Sequence, residues 1–176
     1  MDKSSEWHEA TSHPHPEYDD NAFVLHDMGV LVLDKGLRMA EYGALPKLGL
    51  IDKLAQDARA TYTAVGYGLE ESSPHGSEGG DTRRTATVSL VSTNGAYGLG
   101  KGIAVKWSSN QGKPHTGGTC YGDSGGPTFP NVDGMENVVL TVTSFGIDVN
   151  CASGGGGYRI DQPDDLAFLA TFKVRP

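Results

Sequence analysis

Gly122-Asp123-Ser124-Gly125-Gly126-Pro127, preceded by Cys120-Tyr121, is the stretch of this chain best suited to covalent chemistry. A serine nucleophile needs an exposed hydroxyl on a tight turn, beside backbone N–H groups free to bind an oxyanion. Glycines on both sides of Ser124 permit that turn, because they take backbone angles that other residues avoid. A bare Gly-x-Ser-x-Gly also occurs in turns that do no chemistry. The six-residue string with a cysteine two positions upstream is far more specific. Ser124 is therefore the candidate nucleophile.

The string resembles the nucleophile segment of the chymotrypsin-like (trypsin-fold, S1-type) serine proteases. The resemblance implies that the amides of Gly122 and Ser124 form an oxyanion hole. The chain order of that family is His, Asp, Ser, with the aspartate about 90 residues before the serine and the histidine about 45 before the aspartate. Asp27 lies 97 residues before Ser124, in Leu25-His26-Asp27-Met28-Gly29-Val30-Leu31-Val32-Leu33. This run is similar to the family's Asp-Ile-Ala-hydrophobic strand, with Met28 and Gly29 departing from Ile and Ala. His15-Pro16-Glu17-Tyr18 resembles the His-Pro-x-Tyr before it. Asp27 is then the candidate acid that orients a histidine; by itself it also reads as a solvated acid at a strand end. Only 26 residues precede it, so the matching histidine is expected before Met1. A stretch of roughly 60 residues is expected to be missing at the N-terminus.

The remaining histidines do not match that geometry. His26 adjoins Asp27 on an expected strand, so their side chains should point to opposite faces. His8, His13 and His15 precede Asp27 too closely. His75 and His115 fall in polar loops and read as exposed. His13-Pro14-His15-Pro16-Glu17 reads as surface loop rather than as a metal site, and no metal or cofactor is expected.

The same resemblance assigns further residues. Asp123 matches the aspartate that pairs with the freed N-terminal amine after zymogen cleavage. No matching start occurs in this chain, so Asp123 is expected to lack its partner and the loop around it to be poorly formed. Gly118, at the base of the primary pocket, carries no charge. Thr119 adjoins it, Ser144-Phe145-Gly146 resembles the Ser-Trp-Gly wall, and Gly155 and Gly156 lie near the opposite wall. An uncharged, glycine-lined pocket implies apolar or aromatic substrate side chains rather than basic ones. Cys120 and Cys151 match a family disulfide, closing a loop of about 30 residues; the alternative is a pair of free buried thiols in a reducing compartment.

The elements that must position these residues read mostly as strands. Residues 1–21 are polar and read as loop. An apolar strand follows within Ala22 to Leu33. Ala44-Leu45-Pro46 is similar to the family's interdomain crossing, and Gly66-Tyr67-Gly68 to the Gly-Trp-Gly near the start of the second barrel. Alternation predicts strands within Ala58–Gly68, Arg84–Thr93, Gly102–Trp107 and Val138–Phe145. Residues 69–82 and 108–119 read as loops and Gly154–Gly157 as a turn. Leu166, Leu169 and Ala170 predict a helix from Asp164 to Phe172.

The expected fold class is mostly β: a chymotrypsin-like double β-barrel with the first barrel incomplete, plus a short C-terminal helix. Residues 1–176 form a single domain, with 1–55 the remnant of the first barrel and crossing, and 56–176 the second barrel and helix. The 176 residues carry a net charge of −8, which speaks against nucleic acid or an anionic membrane as partner. No apolar run reaches the roughly 18 residues of a membrane span. Residues 1–6 lack a signal peptide's apolar stretch, so an extracellular location rests on the resemblance. The expected function is a serine endopeptidase domain acting on peptide or protein substrates, here without its catalytic histidine, and monomeric. The alternative is a non-catalytic homologue that binds peptides or proteins.

Overall fold

The computed structural model describes residues 7–73, 76–80, 82–94, 96–109, 116–174 and 176; His75 and His115 lie outside them. Strands β1 (Ala10–Pro14) and β2 (Gly29–Leu33) come first, then helix α1 (Leu50–Leu54). There follow β3 (Thr61–Gly66), β4 (Leu69–Ser73), β5 (Gly76–Gly79), β6 (Arg84–Ser92), β7 (Ala104–Trp107), β8 (Pro127–Pro130), β9 (Thr141–Gly146) and β10 (Gly155–Arg159). Helix α2 (Pro163–Thr171) closes the chain. Six strands form a closed barrel in the order β10-β7-β6-β3-β8-β9, while β1–β2 and β4–β5 are separate two-stranded sheets.

The barrel follows from period-two patterning. Tyr62 and Ala64 of β3, Val88 of β6, and Val105 and Trp107 of β7 point inward and share one core with Ile51 and Leu140. Tyr62 and Trp107 meet at 4.8 Å between ring centroids, a tilted aromatic contact of ordinary favourable geometry. A second cluster joins Met28 to Tyr158, Ile160 and Leu169, with Val30 packed against it. It fastens β2 to the barrel and to α2.

Three local expectations are corrected. Residues 1–21 are not all loop: β1 pairs antiparallel with β2 from Ala10↔Leu33 to Pro14↔Gly29. Backbone pairing in an exposed ribbon asks little of side chains, so a polar sequence gives no warning of it. Residues 69–82 include the β4–β5 hairpin. Gly154–Gly157 is not a free turn: from Gly155 it becomes β10, buried at every residue. A β-carbon on Gly156 would collide with the Phe145 ring, and one on Gly157 would stand 2.5 Å from Trp107 Nε1. Glycine there permits close approach, not flexibility. The predicted C-terminal helix is present as α2, with Pro163 at its first turn.

Candidate active site

Ser124 stands on a turn between Cys120 and Gly126. Asp123 N–H donates to the Cys120 carbonyl (3.1 Å) and Gly126 N–H to the Asp123 carbonyl (2.9 Å). Gly122 and Gly125 hold φ of +93° and +84°, where a side chain would be strained. The turn is strapped to β9: Gly125 N–H donates to the Thr143 carbonyl (2.9 Å), and Thr143 N–H to the Gly126 carbonyl (2.8 Å). Ser124 is left exposed. Among the described residues, its hydroxyl and the amides of Gly122 and Ser124 make no hydrogen bond. An exposed hydroxyl beside two free amides is what attack on a carbonyl and capture of its oxyanion require.

Asp123 is not left without partners, which corrects the expectation of a poorly formed loop. Its Oδ1 accepts Gly68 N–H (2.8 Å) and its Oδ2 accepts Cys120 N–H (2.8 Å). Two amides satisfy the carboxylate in place of an ammonium. Gly66 and Gly68 carry no side chain because that carboxylate fills the space: a β-carbon on Gly68 would lie 2.6 Å from Asp123 Cγ.

Asp27 comes from the other end of the chain. It is not on a strand, so the opposite-face expectation for His26 and Asp27 is corrected. His26 takes φ +51°, and β2 begins only at Gly29. Asp27 Oδ2 accepts the Ser144 hydroxyl. Burial pushes the Asp27 carboxyl up from its ordinary value, and the Ser144 hydrogen bond works against that. Ser144, expected only as pocket wall, thus has a second connection that sequence reasoning missed. It follows Thr143 on β9, so one strand holds the Ser124 turn by its backbone and Asp27 by the next side chain.

No described histidine hydrogen-bonds Ser124 or Asp27. His15 is not a surface residue as expected: it is 4% exposed. Its ring stacks on His26 (centroids 4.7 Å apart) and meets the edge of Phe168. Burial, then the neighbouring His26, lower its basicity.

The expected pocket residues are divided. A cavity of about 650 Å³ is lined by Gly118, Thr119, Cys120, Asp123, Cys151 and Ala152, with Glu70 and Arg84 also on its wall. Ser144, Phe145, Gly146 and Gly156 are not on it. Phe145 instead lies over Gly156 and meets Tyr97 edge-on at 4.9 Å. Cys120 and Cys151 are joined in a disulfide, with Cα atoms 5.3 Å apart, tying the Ser124 turn to the approach to β10.

A six-stranded barrel, a C-terminal helix and a Gly-Asp-Ser-Gly turn braced by a disulfide have the architecture of the chymotrypsin-like class. The family model described as Trypsin matches residues 3–162, and the chain belongs to that family, which is one of serine proteases. Comparison with the curated proteins finds no match. A disulfide in such a domain is typical of extracellular proteins.

Proposed function

We propose that this chain carries the nucleophile and the acid of a serine endopeptidase centre acting on peptide or protein substrates outside the cell. Ser124 Oγ attacks the scissile carbonyl carbon, and its proton passes to a base. The Gly122 and Ser124 amides hold the oxyanion. The amine leaves with a proton, and water then hydrolyses the Ser124 ester. Asp27 holds the imidazole that serves as base, Asp123 shapes the turn, and no cofactor takes part. Gly118 and Thr119, on the cavity wall, take the substrate side chain, and Ser144, Phe145, Gly146 and Gly156 flank its approach from outside that cavity. The observation that carries this reading is β9, where Thr143 braces the Ser124 turn and Ser144 binds Asp27.

A second reading is a peptide-binding homologue without turnover. It is favoured by the lack of a described histidine bonded to Ser124 or Asp27. A serine without its base is a weak nucleophile, so the 176-residue chain alone should react slowly with a fluorophosphonate probe. Added imidazole, standing in for the base, should accelerate labelling, and Ser124→Ala should abolish it. No labelling at any imidazole concentration, from protein shown to be folded, would leave peptide binding as the better account.

A further inference from the structure

We propose that His26 is a positioning residue for Asp27: its ring, stacked on His15 and flanked by Glu17 and Asp164, holds the left-handed turn that aims the Asp27 carboxylate at Ser144. The inference rests on the reading of Asp27 as the acid of the centre. A histidine at φ +51° occupies backbone space that side-chain-bearing residues seldom take, and such conformations persist where the surroundings impose them.

The surroundings of His26 come from three elements. From the segment after β1, His15 stacks on the ring within 13° of parallel, and Glu17 Oε2 lies 3.8 Å from Nε2. From α2, Asp164 Oδ2 lies 3.6 Å from Nδ1. From β10, the Tyr158 hydroxyl faces the His26 backbone N–H and donates to buried Asp165 at 2.9 Å. The His26 carbonyl accepts Met28 N–H at 2.7 Å, and the Met28 carbonyl accepts His15 N–H at 2.9 Å. His15 is fixed in turn by Phe168 and by Glu17 N–H, which donates to its Nδ1 at 3.2 Å. Asp27 itself faces Ser144 from β9 and, at longer range, Tyr18. The ring is thus stacked on one face and has a carboxylate near each nitrogen, with Nδ1 buried and making no hydrogen bond among the described residues, directly before the residue it would orient.

His15, His26 and Asp165 also bring one ligand atom each within 4.8 Å of one another. The arrangement nevertheless suits ring packing rather than a cation. In nearly parallel stacked rings the in-plane lone pairs do not converge, and the Glu17 amide already engages His15 Nδ1.

The test is a carboxyl-carbon NMR titration of Asp27 in the full chain. His26→Asn and His26→Gly both suit a left-handed backbone but remove the ring. Each is expected to raise the Asp27 midpoint by roughly half a pH unit or more, because the Ser144 bond that opposes burial is lost. Ser144→Ala marks the full effect, and His26→Asn added to Ser144→Ala should move Asp27 no further. An unchanged midpoint in both His26 variants overturns the proposal, and so does an additive shift in the double variant. If the His26 variants fail to fold, Glu17→Gln with Asp164→Asn loosens the ring while leaving it in place, and the same criterion applies. Fluorophosphonate labelling of the wild-type sample judges the nucleophile reading separately, since the titration requires no turnover.

Discussion

Arg159→Met tests the account of what holds β10 in the barrel. The Arg159 guanidinium is 0% exposed. Its Nε and Nη2 donate to Asp161 at 2.8 and 3.0 Å, and its Nη1 and Nη2 to Asp52 at 3.0 and 3.2 Å. Burial works against the charge on Arg159, and Asp161 and Asp52 more than offset it. The two acids do not count equally. Asp52 is 44% exposed and can turn to water, whereas Asp161 is 0% exposed. Without Arg159, Asp161 keeps only neutral donors among the described residues, Ile51 N–H at 2.9 Å and the Gln162 amide at 3.0 Å. Removing one partner of a buried ion pair costs about 3–5 kcal/mol. With most of that arising at Asp161, Arg159→Met should lower unfolding stability by about 3 kcal/mol or more. Urea denaturation followed by circular dichroism measures it. Asp161→Asn should also destabilise, but the Arg159→Met, Asp161→Asn double variant should lose much less than the sum, because no buried charge is then stranded. A single-variant loss under about 1 kcal/mol, or simple additivity in the double variant, would refute the reasoning.

Asp165 is held up to about 7, chiefly by burial. The folded form therefore keeps a proton that the unfolded chain releases near 3.8, so this contribution falls as pH rises from about 4 to about 7. Asp165→Asn should flatten that part of the stability–pH curve, and an unaltered curve would contradict the burial argument. Cys120→Ala with Cys151→Ala should cost about 3–4 kcal/mol through the released loop, read as a lower denaturation midpoint relative to the oxidised wild type. Gly68→Ala should drive the Asp123 carboxylate off the Gly68 and Cys120 amides. Faster hydrogen exchange at those two amides is the expected sign, and unchanged protection would count against a tightly seated Asp123.

The candidate site was legible where chemistry imposes a local backbone. The Ser124 turn needs glycines at fixed offsets, and the cysteines matched a known pairing. The barrel strands β3 and β6 declare themselves because one face of each is more buried than the other. Less could be read where a local pattern has two meanings. Gly155-Gly156-Gly157 has the composition of a turn, yet lies in a strand because Phe145 and Trp107 press against it. His13-Pro14-His15-Pro16 has the composition of a surface loop, yet His15 is buried against Phe168.

The sequence by itself determined the Ser124 turn, the alternating strands and the terminal helix, since each follows from residues near one another in the chain, whereas the Cys120–Cys151 pair was implied by the family resemblance and is closed by the structure across 31 residues. Only the tertiary structure decided who satisfies the polar groups. Ser144 reaches Asp27 across 117 residues, Arg159 reaches Asp52 across 107, and Asp123 finds Gly68 across 55. A buried donor or acceptor must be paired, but its partner is chosen by which strands become neighbours when the barrel closes. No local pattern carries that information.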